Sequence, residues 1–520
     1  MDQSNVALPQ RFNFARHLLG LNAGRAGKTA YIDDSCELTY GELDQRVRRF
    51  AAGLLASGIH REERVLLVMQ DTVDLPVAFL GALFAGIVPV PVNTLLPADD
   101  YAYMMEHSGA RAVIVSAPLL SCVQDALANT DARPELIVAG GSADAPGLRS
   151  MNDVLDIEPL ASDAGADTRA DDFAFWLYSS GSTGRPKGTV HSHGNLFWTA
   201  ELYAKPILGI RTDDIVFSAA KLFFAYGLGN GLTFPLSVGA TVVLMAERPT
   251  PQAVFQRLVR NKPTVFCGVP TLYVGMLASD ALPPKEQVAL RMCASAGEAL
   301  PREVGDKFHH HFGCEILDGL GSTEMLHIFI SNRAGKVRYG TSGQAVPGYD
   351  IALRDDDNRP VPVGEIGDLY VRGPSAALLY WANREKSRAT FLGDWLKSGD
   401  KYTVDADGYY TYAGRSDDML KVSGQYVSPV EVENVLIEHP AVLECAVVGT
   451  TDADGLTKTA AYVVLAGGHA VTPELADDLK AFVKGKLAPH KYPREIHFVA
   501  ELPKTATGKI QRFKLRALQR

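Results

Sequence analysis

The first four hundred residues alternate short apolar runs with amphipathic stretches. Arg64–Met69 is an apolar run of strand length, and Val73–Ala85 has the spacing of a helix that ends before Gly86. Similar runs predict strands at Ala112–Val115, Leu136–Val138, Ile215–Ala219, Thr241–Met245, Thr264–Cys267, Met292–Ala296 and Glu315–Leu317. Strands that alternate with helices predict an α/β fold of mostly parallel sheets covered by helices on both faces. Such sheets bind ligands at the carboxyl ends of their strands.

The pattern changes near residue 417. Ser428 is placed as a helix N-cap, with Pro429 at the first helical position and Glu431 completing a capping box. Strands at 443–449 and 461–465 and a helix from Thr472 to about Leu487 follow. We therefore predict a large N-terminal domain over residues 1–416 and a small, mobile α/β C-terminal domain over residues 417–520.

Composition narrows the function classes. A chain of 520 residues exceeds a single core, and 47% hydrophobic with 21% charged residues is ordinary for a soluble globular protein. A net charge of −9 argues against nucleic-acid binding. The longest apolar stretch, residues 77–92, is broken by Gly and Pro, so we expect no membrane span, and the start of the chain lacks a secretory signal pattern. Six scattered cysteines without a C-x-x-C pair predict reduced thiols and a cytoplasmic location.

Two histidine groups are candidate metal ligands, His309–His311 and the pair His191 and His193. Neither has Cys or carboxylate partners at ligand spacing. We interpret them as surface or core histidines.

The most informative loop is Tyr178-Ser-Ser-Gly-Ser-Thr-Gly-Arg-Pro-Lys-Gly188. Glycines let backbone N–H groups approach phosphate oxygens, hydroxyls donate hydrogen bonds, and Lys187 supplies positive charge. The run differs from the P-loop G-x-x-x-x-G-K-[ST], because Arg185 and Pro186 follow Gly184 and Gly188 follows Lys187. The alternative is a solvated Gly/Ser turn, but this density of hydroxyls and cations favours a polyphosphate site of another kind.

Five further segments follow the loop: Ala296–Leu300, Asp318–Glu324, Trp395–Asp400, Gly414–Gly424 and Pro503–Arg512. In this order the six segments resemble the adenylate-forming superfamily of acyl-CoA synthetases, adenylation domains and luciferases, and the resemblance covers nearly the whole chain. Within it the chain looks most like the benzoate-CoA ligases, through Ala219–Gly229 and Gly321–Phe329. Members of the superfamily join a carboxylate to the α-phosphate of ATP, release pyrophosphate, and then pass the acyl group to the CoA thiol.

The resemblance implies a role for each matching position. The phosphates of ATP would contact Ser179, Ser180, Gly181, Ser182, Thr183, Gly184 and Lys187. Thr323 would contact the α-phosphate, and Glu324 would hold Mg²⁺, a hard cation that suits a carboxylate. The adenosine would contact Gly297, Glu298, Ala299, Asp318, Gly319, Leu320, Asp400 and Arg415. Lys509 would bridge the substrate carboxylate and ATP in the first step.

One position departs from the pattern. Many relatives carry an aromatic residue that stacks on adenine where this chain has Leu320. We therefore expect adenine to pack against an aliphatic side chain.

The resemblance also implies a second conformation for thioester formation. The domain that delivers Lys509 would block CoA, so the C-terminal domain would rotate about Asp417 between steps. Gly424 would line the pantetheine tunnel, and Lys421 would assist the second step. Acetylation of Lys509 by a lysine acetyltransferase, reversed by a deacetylase, would remove the charge needed for adenylation.

The acyl pocket is predicted from Phe224, Ala225, Tyr226, Gly227, His327 and Ile328. Aromatic beside small residues suit a compact ring, and the resemblance favours benzoate. A 4-hydroxyl would need a buried partner, because leaving it unpaired costs about 1–3 kcal/mol, and the sequence offers none clearly. The alternatives are a stand-alone adenylation enzyme that charges a carrier protein, a ligase for another aromatic or alicyclic acid, and a non-catalytic relative. The expected substrates are ATP, CoA and a small aromatic acid, and the expected assembly is a monomer or homodimer.

Overall fold

The computed structural model describes residues 8–141, 146–181, 184–416, 418–422, 425–451, 457–488, 490–504 and 510–517. The helices in these ranges are α1 (Phe14–Asn22), α2 (Tyr40–Ala56), α3 (Asp74–Phe84), α4 (Ala98–Ser108), α5 (Leu120–Ala128), α6 (Met151–Leu155), α7 (His193–Thr199), α8 (Ala225–Leu228), α9 (Phe234–Val238), α10 (Pro251–Arg260), α11 (Pro270–Leu277), α12 (Arg302–Phe312), α13 (Arg384–Thr390), α14 (Pro429–Ile437), α15 (Pro473–Lys486) and α16 (Arg512–Ala517). Segments Ala200–Leu208 and Gly229–Thr233 are π-helical, and Ala23–Arg25, Ala117–Leu119 and Lys285–Gln287 are 3₁₀ turns.

The strands in the same ranges are β1 (Thr29–Ile32), β2 (Glu37–Thr39), β3 (Arg64–Val68), β4 (Val88–Pro91), β5 (Ala112–Ser116), β6 (Glu135–Ala139), β7 (Leu148–Ser150), β8 (Phe173–Gly181), β9 (Gly184–Ser192), β10 (Ile215–Ser218), β11 (Thr241–Val243), β12 (Val265–Gly268), β13 (Met292–Ala296), β14 (Ile316–Gly321), β15 (Ile328–Ser331), β16 (Gln344–Ala345), β17 (Asp350–Arg354), β18 (Gly367–Arg372), β19 (Leu379–Tyr380), β20 (Phe391–Leu392), β21 (Trp395–Val404), β22 (Tyr410–Arg415), β23 (Leu420–Val422), β24 (Gln425–Val427), β25 (Val442–Thr451), β26 (Thr457–Leu465) and β27 (Glu495–Phe498).

The chain divides into two compact units. The first contains Met1–Tyr339, Gly343–Asp350 and Arg372–Leu396, and the second contains Gly340–Ser342, Ile351–Val371 and Lys397–Arg520. The predicted boundary between residues 416 and 417 falls inside the second unit, so that division stays a prediction.

Two large sheets form the frame of the first unit. In the described ranges a nine-stranded sheet has the order β16-β15-β14-β13-β12-β10-β11-β1-β2, and its six central strands, from β14 to β1, are parallel. A second sheet has the order β4-β3-β5-β6-β7, with every pair parallel. Its strands are near-continuous apolar runs, because helices cover both faces. In β3, for example, Val65–Val68 are all buried.

A third sheet of the first unit is antiparallel and carries the predicted phosphate loop. Its order is β19-β9-β8, and β8 and β9 form a hairpin. The buried Trp176 of β8 packs against Trp381, with ring centroids 4.6 Å apart. Trp176 and Val190 belong to the same hydrophobic core as Leu66 and Val113 of the five-stranded sheet, and this shared core fixes the base of the hairpin.

The second unit contains three smaller groups of strands. β25, β26 and β27 form a sheet, β23 and β24 form a ribbon, and β22 pairs with β21 in a sheet of order β17-β18-β21-β20. The Ser428 hydroxyl accepts a hydrogen bond from the Glu431 N–H at 3.0 Å, as predicted for an N-cap. The other half of the predicted capping box was wrong, because the Glu431 carboxylate binds Lys491 Nζ at 2.7 Å instead.

Within the described ranges, no helix has both the length and the apolar character needed to cross a lipid bilayer.

Candidate active site

The predicted phosphate loop is the turn of the β8–β9 hairpin. Ser179 pairs with Lys187 across the hairpin, and Gly181 pairs with Gly184. The Ser179 hydroxyl is buried and has no hydrogen-bond partner among the described residues. A buried hydroxyl without a partner at the mouth of a glycine turn suits a ligand that brings oxygens to it. Ser182 and Thr183 lie outside the described residues, as does the side chain of Ser180.

One tyrosine joins the loop cation to the predicted metal ligand. Lys187 Nζ lies 4.4 Å from the centre of the Tyr380 ring, and the Tyr380 hydroxyl donates to Glu324 Oε1 at 2.7 Å. Tyr380 reaches this position because β19 pairs with β9. Lys187 and Glu324 are far apart in sequence, but both contact Tyr380: Lys187 lies against the ring, and Glu324 accepts from the hydroxyl.

The turn that presents Thr323 and Glu324 is held through its backbone. His191 Nε2 contacts the Thr323 carbonyl at 2.9 Å, and the Ala377 N–H donates to the Glu324 carbonyl at 2.7 Å. Burial lowers the pKa of His191 to about 4, so its ring is neutral. A carbonyl oxygen can only accept, so Nε2 carries the proton. Leu326 closes the turn with a φ of 65°, a conformation that costs a residue other than glycine roughly 1–2 kcal/mol.

The predicted adenosine segments of the first unit lie side by side. Gly297, Glu298 and Ala299 directly follow β13, while Gly319 and Leu320 lie on the neighbouring parallel strand β14. Both segments therefore meet at the carboxyl edge of the sheet, where ligands of parallel sheets bind. Leu320 is half-buried, as a packing surface for a base would be.

Asp318 differs from its neighbours on β14. Its carboxylate is buried, and Oδ1 has no partner among the described residues. Burial raises the pKa of Asp318 to about 8. The Asp318 carboxyl is thus uncharged over much of the neutral range, and its side chain does not form an exposed wall.

The predicted ribose ligands lie in the second unit. Asp400 and Arg415 face each other across β21 and β22, and Arg415 Nη1 donates to Asp400 Oδ1 at 3.1 Å. A carboxylate already held by a guanidinium is oriented and keeps capacity to accept from a sugar hydroxyl. Asp417, Gly424 and Lys509 lie outside the described residues, and so does the side chain of Lys421.

His327 is enclosed by aromatic rings in the predicted acyl pocket. Its ring centroid lies 5.2 Å from Tyr203, 5.5 Å from Tyr226 and 4.4 Å from Phe234. Its Nε2 contacts the Tyr226 carbonyl at 3.3 Å, so this nitrogen carries the proton. Burial lowers the pKa of His327 to about 3, which keeps the ring neutral. His327 is therefore a packing residue whose single N–H is committed to the backbone.

Two glycines allow this enclosure. A Cβ on Gly229 would lie 2.4 Å from His327 Cδ2, and a Cβ on Gly227 would lie 2.0 Å from the Lys221 carbonyl oxygen. Neither position has room for a side chain: Gly229 lets the π-helical turn approach His327 closely, and Gly227 lets α8 lie against the Lys221 carbonyl. Ala225 begins α8, and Ile328 follows His327 as a buried residue of β15.

Sequence reasoning missed four residues of the site: Tyr380, His191, Tyr203 and Phe234. His191 had been interpreted as a surface or core histidine, and it is a core histidine that supports the Thr323 turn. It had no clear local signal, because most of the residues of its strand, β9, are polar or glycine. Tyr380 had no local signal, because its role depends on pairing between β19 and β9.

The described side chains suit a divalent cation that keeps most of its water ligands better than a cation bound entirely by protein side chains. Among the residues that the structure describes, no group of three or more His, Cys, Asp or Glu side chains is placed to hold a metal ion. Glu324 uses one carboxylate oxygen for Tyr380. Mg²⁺ commonly takes one or two carboxylates, keeps several waters and binds substrate phosphates.

Comparisons with known proteins decide the family. The family model described as AMP-binding enzyme matches residues 21–381, and the model described as AMP-binding enzyme C-terminal domain matches residues 431–509. The chain belongs to the AMP-binding enzyme family. The predicted superfamily is thereby confirmed.

Individual relatives match over the whole length. The chain is 56% identical to benzoate–CoA ligase of Thauera aromatica, covering 99% of this chain and 98% of the relative. It is 48% identical to 4-hydroxybenzoate–CoA/benzoate–CoA ligase of Rhodopseudomonas palustris, covering 95% and 92%. Crystal structures of a benzoate CoA ligase from Burkholderia xenovorans LB400 match with a TM-score of 0.91 and 64% identity, covering 97% of this chain and all of that one. The predicted α/β fold with a large N-terminal and a smaller C-terminal domain is confirmed by this match.

Proposed function

We propose that the chain is an ATP-dependent aryl-CoA ligase whose acid is benzoate. The observation that supports the proposal is the cluster of aromatic rings around His327, which would form the wall of a compact acyl pocket. A flat ring fills such a space, whereas a long alkyl chain needs an open apolar tunnel. The relatives named for benzoate support the same acid.

The reaction proceeds in two balanced steps. A benzoate oxygen attacks the α-phosphorus of ATP, and the bond to the bridging oxygen breaks, giving benzoyl-AMP and pyrophosphate. The CoA thiolate then attacks the benzoyl carbon, AMP leaves, and benzoyl-CoA is formed. The benzoate carboxylate is already an anion, and the CoA thiol becomes one by losing its proton to solvent, so the protein mainly needs to align the nucleophiles and to stabilise charge on phosphate oxygens.

The phosphate end of the site fits this task. Lys187 and the hairpin turn hold the β- and γ-phosphates, and Thr323 contacts the α-phosphate. Glu324, oriented by the Tyr380 hydroxyl at 2.7 Å, holds the magnesium ion. When bound, this ion neutralises negative charge on the phosphates. Asp400 and Arg415 bind the ribose, and adenine packs on Leu320.

The C-terminal domain supplies the remaining groups of the proposed mechanism. Lys509 bridges the benzoate carboxylate and ATP in the first step. Rotation about Asp417 then exposes a tunnel along Gly424 to CoA, and Lys421 assists thioester formation. Acetylation of Lys509 would stop the first step, because it removes the positive charge. Acetylated protein that kept full adenylation activity would overturn that regulation.

One observation favours a second acid. The hydroxyl group of Tyr226 beside His327 is buried and has no hydrogen-bond partner among the described residues. A ring hydroxyl that pairs with it avoids the penalty of about 1–3 kcal/mol for burial unpaired. The Rhodopseudomonas relative is named for both acids. We therefore propose 4-hydroxybenzoate as the secondary substrate.

An acid-dependent ATP–pyrophosphate exchange panel tests the proposal. Benzoate, fluorobenzoates, 4-hydroxybenzoate, an alicyclic acid and octanoate are compared at equal concentration, with Lys509→Ala as the inactive control. We expect benzoate to give the highest kcat/KM and octanoate to give no exchange. Exchange that is fastest with octanoate, or unaffected by Lys509→Ala, would contradict the proposal.

Supplying CoA or a candidate carrier protein to the preformed adenylate separates the ligase from a carrier-charging enzyme. A cytoplasmic location and a monomer or homodimer remain predictions.

A further inference from the structure

The residues on both sides of 505–509 form hydrogen bonds and an ion pair within the second unit. Lys504 and Ile510 form an antiparallel bridge, and the Gln511 N–H donates to the Pro503 carbonyl at 2.7 Å. Lys504 Nζ also binds both oxygens of Glu444, at 2.7 and 2.8 Å. The two ends of the segment that carries Lys509 are therefore fixed to each other and to β25.

Arg512 adds a buried anchor on the C-terminal flank. Its Nη2 lies 2.8 Å from both carboxylate oxygens of Glu433 on α14, and these two side chains are 17% and 8% exposed. The Val447 N–H donates to Glu433 Oε1 at 2.6 Å, so the carboxylate is held on two sides. Burial on its own would lower the pKa of Arg512, and the adjacent Glu433 more than reverses this. A paired, buried guanidinium has one well-defined position.

The same cluster reaches the residue next to the predicted hinge. Asp418 accepts from Arg516 Nη2 at 3.0 Å and lies 4.0 Å from Arg512 Nη1. Asp418 and Arg512 are 18% and 17% exposed, so their pair is partly shielded from solvent, whereas Arg516 is 40% exposed.

We propose that Arg512 is a positioning residue for Lys509: its ion pairs with Glu433 and Asp418 hold the chain at residue 512 against α14. Arg512 lies three residues after Lys509. A change in the position of Arg512 would therefore reach Lys509 through only two intervening residues. A misplacement of about 1 Å in a catalytic group costs on the order of a hundredfold in rate. The proposal rests on the proposed function for the role of Lys509, but the restraint itself does not.

The test variant is Glu433→Gln, which keeps the side-chain volume and an oxygen for the Val447 N–H but removes the charge that holds Arg512. The matched control is Glu431→Gln on the same helix, which breaks a more exposed pair with Lys491 at 2.7 Å. Arg512→Lys is the second variant, because it keeps the positive charge but cannot form the bidentate contact with the Glu433 carboxylate.

Three readouts separate positioning from general stability. Trypsin cleavage after Lys509 measures the restraint without any substrate, while ATP–pyrophosphate exchange and thioester formation from synthetic benzoyl-AMP measure the two steps. For Glu433→Gln we expect cleavage after Lys509 to be about tenfold faster than in the control, and adenylation kcat to fall about 10- to 100-fold. Thioester formation should stay near wild type, and Arg512→Lys should give intermediate values.

Two results would overturn the proposal. One is cleavage after Lys509 that is unchanged in Glu433→Gln relative to Glu431→Gln. The other is an equal loss in both half-reactions together with a lowered Tm, which is what a purely structural ion pair predicts. If wild-type protein gives no exchange with any aromatic acid, the proposed function fails, and the cleavage comparison still decides whether Arg512 restrains the segment.

Discussion

Replacing Gly229 by alanine tests the aromatic enclosure directly. A Cβ at this position would lie 2.4 Å from His327 Cδ2 and 2.7 Å from Nε2. Carbon atoms pack at about 3.5–4.0 Å, so the imidazole must move by roughly 1 Å. That movement breaks the 3.3 Å contact between Nε2 and the Tyr226 carbonyl and changes the shape of the proposed acyl pocket.

The size of the effect follows from these contacts. Overpacking of a tight interior costs about 1–3 kcal/mol, and the lost hydrogen bond adds about 0.5–1.5 kcal/mol. If about 2 kcal/mol of this falls on acid binding, the KM for benzoate rises about 30-fold. The KM for ATP should change less than the KM for benzoate, because the hairpin that carries Lys187 belongs to another sheet.

Steady-state kinetics with benzoate and ATP varied in turn, together with thermal unfolding, measure these effects. The matched control is Gly20→Ala on α1, where a Cβ has no atom within 4 Å. This control should be neutral or slightly stabilising, by about 0.5–1 kcal/mol. A folded Gly229→Ala protein whose benzoate KM stays within about twofold of wild type would refute the placement of His327 at the acid.

Three further outcomes are expected. Tyr380→Phe keeps the ring beside Lys187 but removes the hydrogen bond to Glu324. A higher Mg²⁺ concentration should then be needed for half-maximal exchange, and kcat should fall about tenfold. An unchanged Mg²⁺ titration would contradict this role of Tyr380. Burial lowers the pKa of His191 to about 4 and of His327 to about 3, so the unfolded chain binds protons below pH 6.5 before the native state does. As the pH falls from 6.5 to 4, each of these histidines should therefore lower the free energy of unfolding by about 1.4 kcal/mol per pH unit, while Asp318, whose pKa burial raises to about 8, contributes the opposite slope. His327→Gln removes one histidine contribution, so the slope measured by urea unfolding should change by about 1.4 kcal/mol per pH unit in this range. Tyr226→Phe should lower kcat/KM for 4-hydroxybenzoate about tenfold relative to benzoate, and equal losses for both acids would exclude a hydrogen bond to the ring hydroxyl.

Elements built from local apolar runs could be predicted from the sequence. β13 has the predicted bounds Met292–Ala296, and β3 differs from its prediction by one residue at its end. Such apolar runs are typical of strands that are buried on both faces of a parallel sheet, so the run predicts both the strand and its bounds. No element was predicted between residues 142 and 171, where the structure has β7 and α6. The missed signal was the capping box of Ser150 and Asp153, which begins α6 and places Val154 in the core.

The site was predictable where its residues lie in contiguous motifs. The hairpin loop and the Thr323–Glu324 turn are such motifs, and the structure joins them. Their junction was not predictable, because Tyr380 connects Lys187 to Glu324 through strand pairing that the sequence does not display. The aromatic enclosure likewise depends on Tyr203 of a π-helical segment, whose approach to His327 is tertiary.

The most direct measurement is the product balance of the purified protein supplied with benzoate, ATP, Mg²⁺ and CoA. Benzoyl-CoA, AMP and pyrophosphate are quantified by mass spectrometry and chromatography, with CoA omitted and with Lys509→Ala as controls. We predict equal amounts of the three products, pyrophosphate exchange without CoA, and no product from Lys509→Ala. ADP in place of AMP, or AMP without benzoyl-CoA when CoA is present, would contradict the proposed ligase.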